Sequence, residues 1–181
     1  MPSYLYYERA MPPEFCDYVV KSLDWSHSVT GATREESGEE STSLRKVQVL
    51  SEHLMSPLGS VCKNYMIDAN SRTQWSKSIC GFDVPQILKY ETTDHYWWHH
   101  DVLPPAEGKQ RRVSLCMLLN DPSEFEGGQL ELQDKTDNGL KNKGDIIVFD
   151  STTMHRVAPV TKGVRISAVC WAYGFYELRF L

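Results

Sequence analysis

The spacing of apolar positions changes near the middle of the chain. In "PPEFCDYVVKSL", Phe15, Cys16, Val19, Val20 and Leu23 recur at helical steps behind a proline start. In "EHLMSPLGSVCKNYMIDAN", Leu58, Val61, Cys62, Tyr65 and Met66 share one helical face. From Ile79 onward the pattern shortens to apolar runs broken by turns: "PQILKYE", "RRVSLCMLLN", "GGQLELQ", "GDIIVFD", "HRVAPV" and "VRISAVCWAYG". Gly127-Gly128, "DNG" and "NKGD" supply the turns. This predicts one domain over 1–181, with helical support over about 1–78 and a β core over about 79–175. Successive short strands with no helix between them point to a sandwich or barrel.

Alternation within the strands assigns faces. In "RRVSLCMLLN", Val113, Leu115, Met117 and Leu119 fall on one side and should pack on the helices. Arg112, Ser114, Cys116 and Leu118 fall on the other and should look inward. The polar stretch "SVTGATREESGEESTSLRK" carries almost no apolar residue. It reads as a solvated loop over about 28–46, with a lid over an active site as the sharper alternative.

Bulk properties narrow the classes. The chain has 181 residues, 41% hydrophobic and 24% charged, which suits a globular domain with a full core. A net charge of -5 and the absence of a basic run argue against nucleic acid as a partner. No apolar run is long enough to span a bilayer, and the N-terminus does not read as a secretory signal. Five scattered cysteines without a C-x-x-C pair suggest a reducing, cytoplasmic setting.

The candidate chemistry lies in "YETTDHYWWHHDVLPP", Tyr90 to Pro105. On an extended backbone His99 and Asp101 point to one face and His100 to the other, so His99 and Asp101 grip one ion without His100. "DSTTMHRVAPV" offers His155 as a second imidazole after the apolar run "DIIVFD". Two histidines and a carboxylate on one side of an ion form a facial triad suited to non-haem Fe(II) and oxygen chemistry. Ten residues past His155, Arg165 interrupts an apolar strand and shares a face with Ser167, Val169 and Trp171. A guanidinium facing a barrel interior is costly unless paired, and a dicarboxylate ligand pairs it in bidentate fashion.

H-x-D, a distal histidine and an arginine ten residues beyond it together resemble the Fe(II)/2-oxoglutarate dioxygenases. Within these, the chain is most similar to prolyl hydroxylases, especially the bacterial and phage prolyl/lysyl hydroxylase-type proteins. "KYETTDHYWWHHD", "SEFEGGQLEL", "KGDIIVFDSTTMHRVAPVTKGVR" and "SAVCWAYG" carry the likeness over roughly Ile79 to Gly174. The resemblance implies a double-stranded β-helix, a cupin-like jelly roll, mainly β with supporting α-helices. It implies His99, Asp101 and His155 as Fe(II) ligands and catalytic residues. It implies Arg165 as the clamp on the distal carboxylate of 2-oxoglutarate, with Tyr90, Ser114 and Trp171 as further cosubstrate contacts. Tyr96 matches a second family tyrosine. Leu118 stands where prolyl hydroxylases often carry a tyrosine, which leaves more of the binding to Arg165, Tyr90 and Ser114.

The implied reaction consumes 2-oxoglutarate and O2, with ascorbate as support, and yields succinate and CO2. Asp101 favours hydroxylation over halogenation, which needs a small residue there. The implied substrate is a prolyl residue in a peptide or protein. The alternatives are a free amino acid or other small molecule, or a non-catalytic cupin-like binder, which would have no use for Arg165.

Overall fold

A computed structural model describes residues 3–31, 33–34, 40–41, 43–53, 55–73, 75–102, 109–133 and 139–175, with only the backbone at 33–34 and 40–41. In chain order the elements are β1 (Tyr4–Tyr7), α1 (Pro13–Lys21), β2 (Val29–Gly31), β3 (Thr33–Arg34), β4 (Glu40–Ser41), β5 (Arg45–Ser51) and α2 (Pro57–Arg72). There follow β6 (Gly81–Phe82), β7 (Gln86–Tyr90), β8 (His95–His99), β9 (Lys109–Leu118), β10 (Phe125–Gly127) and β11 (Leu130–Leu132). β12 (Ile146–Asp150), β13 (His155–Val157), β14 (Val160–Gly163) and β15 (Arg165–Phe175) complete the chain.

Both helices begin as the sequence signals predict. Pro13 and Pro57 occupy the first turn, where a missing N–H costs nothing, and Ser56 Oγ accepts from Gly59 N at 3.1 Å. Leu58, Cys62, Met66 and Ala69 line the buried face of α2. They pack with Cys16 and Val19 of α1 against Val113, Leu115 and Met117 of β9 and Leu119 just past its end. Ile146, Val148, Ala168, Cys170 and Ala172 extend that layer. Truncating one of these buried side chains, such as Leu58→Ala, should cost about 2–5 kcal/mol in transfer and cavity terms.

The strands run in the order β1-β12-β9-β15-β7-β5-β8-β13-β11, each pair antiparallel, with β2 beside β5 and β6 beside β15. β5 pairs with both β7 and β8 and so joins the helix-backed strands to the β8-β13-β11 layer. Curled in this way, the sheet keeps one apolar face for the helices. The other face turns inward, with Val47, Val49, Leu88, Cys116, Ile147, Phe149 and Val157 in a second buried cluster. The alternation in β9, β12 and β15 is what separates these two clusters.

The region up to residue 78 is not only helical support. β1, β2 and β5 come from it and join the main sheet. β5 was obscured by composition: Val47 and Val49 face the core, while Lys46 and Gln48 alternate outward and give the stretch a polar look. Part of the stretch at 28–46 is therefore strand rather than loop. Residues 32, 35–39 and 42, on which the lid alternative depends, lie outside the described residues.

Candidate metal centre

β8 and β13 bring the two histidines together. They pair antiparallel with His155 directly opposite His99, and the imidazole centroids lie 4.1 Å apart. Asp101, one turn of the pleat beyond His99, sits between them. His99 Nε2 is 3.7 Å from Asp101 Oδ1, and His155 Nε2 is 3.6 Å from Oδ2. The donor atoms of the three residues all lie within 4.8 Å of one another. His100 is exposed and takes no part.

Backbone carbonyls fix the tautomer of both rings. His99 Nδ1 lies 2.6 Å from Trp97 O, and His155 Nδ1 lies 2.9 Å from Thr153 O. A carbonyl only accepts, so each Nδ1 carries a proton and each ring turns its Nε2 towards the site. Burial and the neighbouring His155 lower the pKa of His99 to about 4, which keeps the ring neutral near pH 7. Burial alone would raise the Asp101 carboxyl. The imidazoles of His155 and His99 outweigh that effect, with hydrogen bonds from Ser114 and Trp171, and hold it below the ordinary carboxylate range. Two imidazoles and a carboxylate converging on one point fit a divalent ion with open positions.

Ser114 does not reach the cavity beside the triad. Its Oγ donates to Asp101 Oδ2 at 2.7 Å and lies 2.9 Å from Ser151 Oγ. Ser114 is expected as a cosubstrate contact, and in this structure its hydroxyl meets Asp101 and Ser151. The inward face of β9 at this level meets the carboxylate, so Ser114 orients a ligand instead. Ser151, fully buried, is the second member of that relay, and its carbonyl also accepts from Asp101 N at 3.0 Å. The sequence reading missed Ser151, although it opens the "STTMH" turn that delivers His155.

A cavity of about 260 Å³ opens beside the triad. Arg165, Ser167, Val169 and Trp171 line it together, as their alternation on β15 predicts. Arg165 is 2% exposed. Its Nη1 donates to Ser167 Oγ at 2.7 Å, and no carboxylate among the described residues pairs with it. Tyr90 stands opposite Arg165 in the β7–β15 register, with the guanidinium 5.5 Å from its ring. The Tyr90 hydroxyl is buried with no hydrogen-bond partner. A buried cation without an anion and a buried hydroxyl without a partner, both on one cavity wall, fit a carboxylate-bearing ligand.

Several other residues are now placed. Tyr96 lines the cavity and stacks on His99, with ring centroids 3.4 Å apart. An extra residue in β8 opposite β13 allows this, because plain alternation would put Tyr96 and His99 on opposite faces. Trp97 and Trp98 are not cavity-lining residues. The Arg156 guanidinium lies 5.0 Å from each ring, and Trp97 is exposed. Arg111 lines the cavity, bonded to Asp83 at 2.8 Å and stacked 3.7 Å from the Trp171 ring. Arg112 instead donates to Phe175 O. Arg45 also lines the cavity, and the sequence reading missed it.

Residues 85–173 match the family model described as 2OG-Fe(II) oxygenase superfamily. A PKHD-type hydroxylase of Xylella fastidiosa (strain M12) is 37% identical over 98 residues, covering 48% of this chain and 43% of the relative. The chain thus spans less than half the length of that curated relative. A viral collagen prolyl hydroxylase from Paramecium Bursaria Chlorella virus-1, solved with 2OG, superposes with a TM-score of 0.75 at 18% identity, covering 96% of this chain and 97% of its own. A prolyl hydroxylase from Trichoplax adhaerens, in complex with a hypoxia inducible factor oxygen degradation domain peptide fragment, gives 0.73 at 17%, covering 94% and 83%. The curled sheet around the cavity is the double-stranded β-helix of these oxygenases. Residues 85–173 belong to the 2OG-Fe(II) oxygenase superfamily, and the fold is that of the solved prolyl hydroxylases. The family implies Fe(II), 2-oxoglutarate and O2.

Proposed function

We propose that the chain is an Fe(II)- and 2-oxoglutarate-dependent dioxygenase that hydroxylates a prolyl residue in a peptide or protein, releasing succinate and CO2. The observation that carries this is Arg165, a buried guanidinium without a carboxylate among the described residues, in the same cavity as the His99–Asp101–His155 cluster. Metal storage alone gives such a residue no role.

His99 Nε2, Asp101 and His155 Nε2 would hold the ion beside the cavity. Ferrous iron bound there supplies the dioxygen chemistry that amino-acid side chains lack. Arg165 grips the distal carboxylate of 2-oxoglutarate, and the orphaned Tyr90 hydroxyl donates to the same ligand. Ser114 and Ser151 hold the Asp101 carboxylate in place. Trp171, with Arg111 stacked on it, walls the cavity and excludes water. The prolyl assignment draws support from the fold neighbours, one of which is solved with a peptide.

A mass screen tests this reading. Protein with Fe(II), 2-oxoglutarate and ascorbate is incubated with proline-containing peptides and, separately, with free amino acids. A product heavier by one oxygen atom on a prolyl peptide, matched by succinate, is the expected result. Oxygen addition confined to free amino acids would replace the peptide assignment, and no oxygen addition to any of them would overturn it.

A further inference from the structure

Arg45 is a second cation in the same cavity without a carboxylate partner among the described residues. It begins β5, opposite Tyr96 on β8, and its guanidinium lies 4.8 Å from the Tyr96 ring. Its Nε is buried without a hydrogen-bond partner, and no carboxylate among the described residues pairs with it. By contrast Arg111, the third guanidinium on the cavity, is paired with Asp83. The fold makes room for Arg45: a Cβ on Gly31 of the neighbouring strand would stand 3.1 Å from Arg45 Cζ.

Charge decides what Arg45 awaits. This step rests on the reading proposed above. A divalent ion and Arg165 carry three positive charges; Asp101 and dianionic 2-oxoglutarate carry three negative ones. That group is neutral without Arg45, whose charge is left over in a half-buried position where an unpaired cation is costly. Arg45 also lies over the Tyr96 ring that stacks against His99. A third anion is therefore called for on the metal's His99 side.

We propose that Arg45 selects a substrate that carries a carboxylate close to the residue to be oxidised, and binds that carboxylate through its guanidinium. Two sources share this chemistry: a terminal or free carboxylate, and an acidic side chain flanking the target residue. Arg45 is a specificity residue for the substrate, and Arg165 remains the clamp on the cosubstrate.

Calorimetric titration tests this without turnover, using full-length protein loaded with Mn(II) and 2-oxoglutarate. Three matched pairs serve as probes: N-acetyl-L-proline against its amide, acetyl-Pro-Asp-amide against acetyl-Pro-Asn-amide, and N-acetylglycine against its amide. The wild type should prefer the acid in at least one prolyl pair by about tenfold or more, the scale of a charge-assisted hydrogen bond. Which prolyl pair shows it identifies the source. Arg45→Gln should erase the preference, while 2-oxoglutarate binding falls far less than in Arg165→Gln. Arg45→Lys, which keeps the charge, should retain part of it. A preference confined to the glycine pair and lost in Arg45→Gln would uphold Arg45 and count against the prolyl reading. Equal binding of acid and amide in every pair would overturn the role of Arg45 alone. So would a loss of 2-oxoglutarate binding in Arg45→Gln as large as that in Arg165→Gln. No binding of any probe would overturn both.

Discussion

His99 and His155 face one another across the β8–β13 ladder, each with its Nδ1 proton held by a carbonyl two residues earlier in the chain. Both Nε2 atoms are thereby aimed at Asp101. Strand pairing thus places both imidazoles beside one carboxylate. His99→Ala and His155→Ala should each weaken Mn(II) binding by more than the ~10–100-fold typical of losing an outer partner. His100→Ala should leave it unchanged. Metal titration followed by electron paramagnetic resonance checks all three.

Ser114 Oγ donates to Asp101 Oδ2, so its effect on an ion held there would run through that carboxylate. Ser114→Ala removes one hydrogen bond from a buried carboxylate and should lower Mn(II) affinity ~10–100-fold. The affinity of the metal-loaded protein for 2-oxoglutarate should barely change. A loss confined to 2-oxoglutarate would restore the direct contact that the sequence suggested.

Gly128 seats Arg165. Its φ is +66°, and a Cβ there would stand 2.9 Å from Arg165 Cδ. Gly128→Ala combines left-handed backbone strain with a push on the clamp. Calorimetry should show 2-oxoglutarate binding weakened about tenfold, equivalent to ~1.4 kcal/mol, with Mn(II) binding retained.

The buried His99 makes the metal-free protein sensitive to acid. Its pKa falls from 6.5 to about 4 on folding, because burial disfavours the charged ring. Between those values the unfolded chain takes up a proton that the folded chain refuses, so this contribution to stability is present above pH 6.5 and lost as pH falls towards 4. Melting of chelator-treated protein should show Tm dropping across that window, and His99→Gln should flatten the drop.

Alternation alone made much of the site legible. It turned His100 away from His99 and Asp101, and it put Arg165 and Trp171 on one inward face. The same rule places Arg45 with Val47 and Val49, but the polar composition of the preceding stretch hid β5 and with it the second arginine. The stacking of Tyr96 on His99 depends on a bulge, which breaks the period that the reading relied on. Ser114 was assigned to the correct face, yet which neighbour its hydroxyl meets depends on how far the sheet curls, and spacing along one strand does not encode that.

The central claim is that one cavity holds iron through His99, Asp101 and His155 and 2-oxoglutarate through Arg165. Succinate release from 2-oxoglutarate, measured with and without Fe(II) for the wild type, Asp101→Ala, His155→Ala and Arg165→Gln, tests it most directly. Iron-dependent succinate is expected from the wild type, none above background from Asp101→Ala or His155→Ala, and recovery in Arg165→Gln only at much higher 2-oxoglutarate. Undiminished succinate from Asp101→Ala or His155→Ala, or an unchanged 2-oxoglutarate requirement in Arg165→Gln, would contradict it.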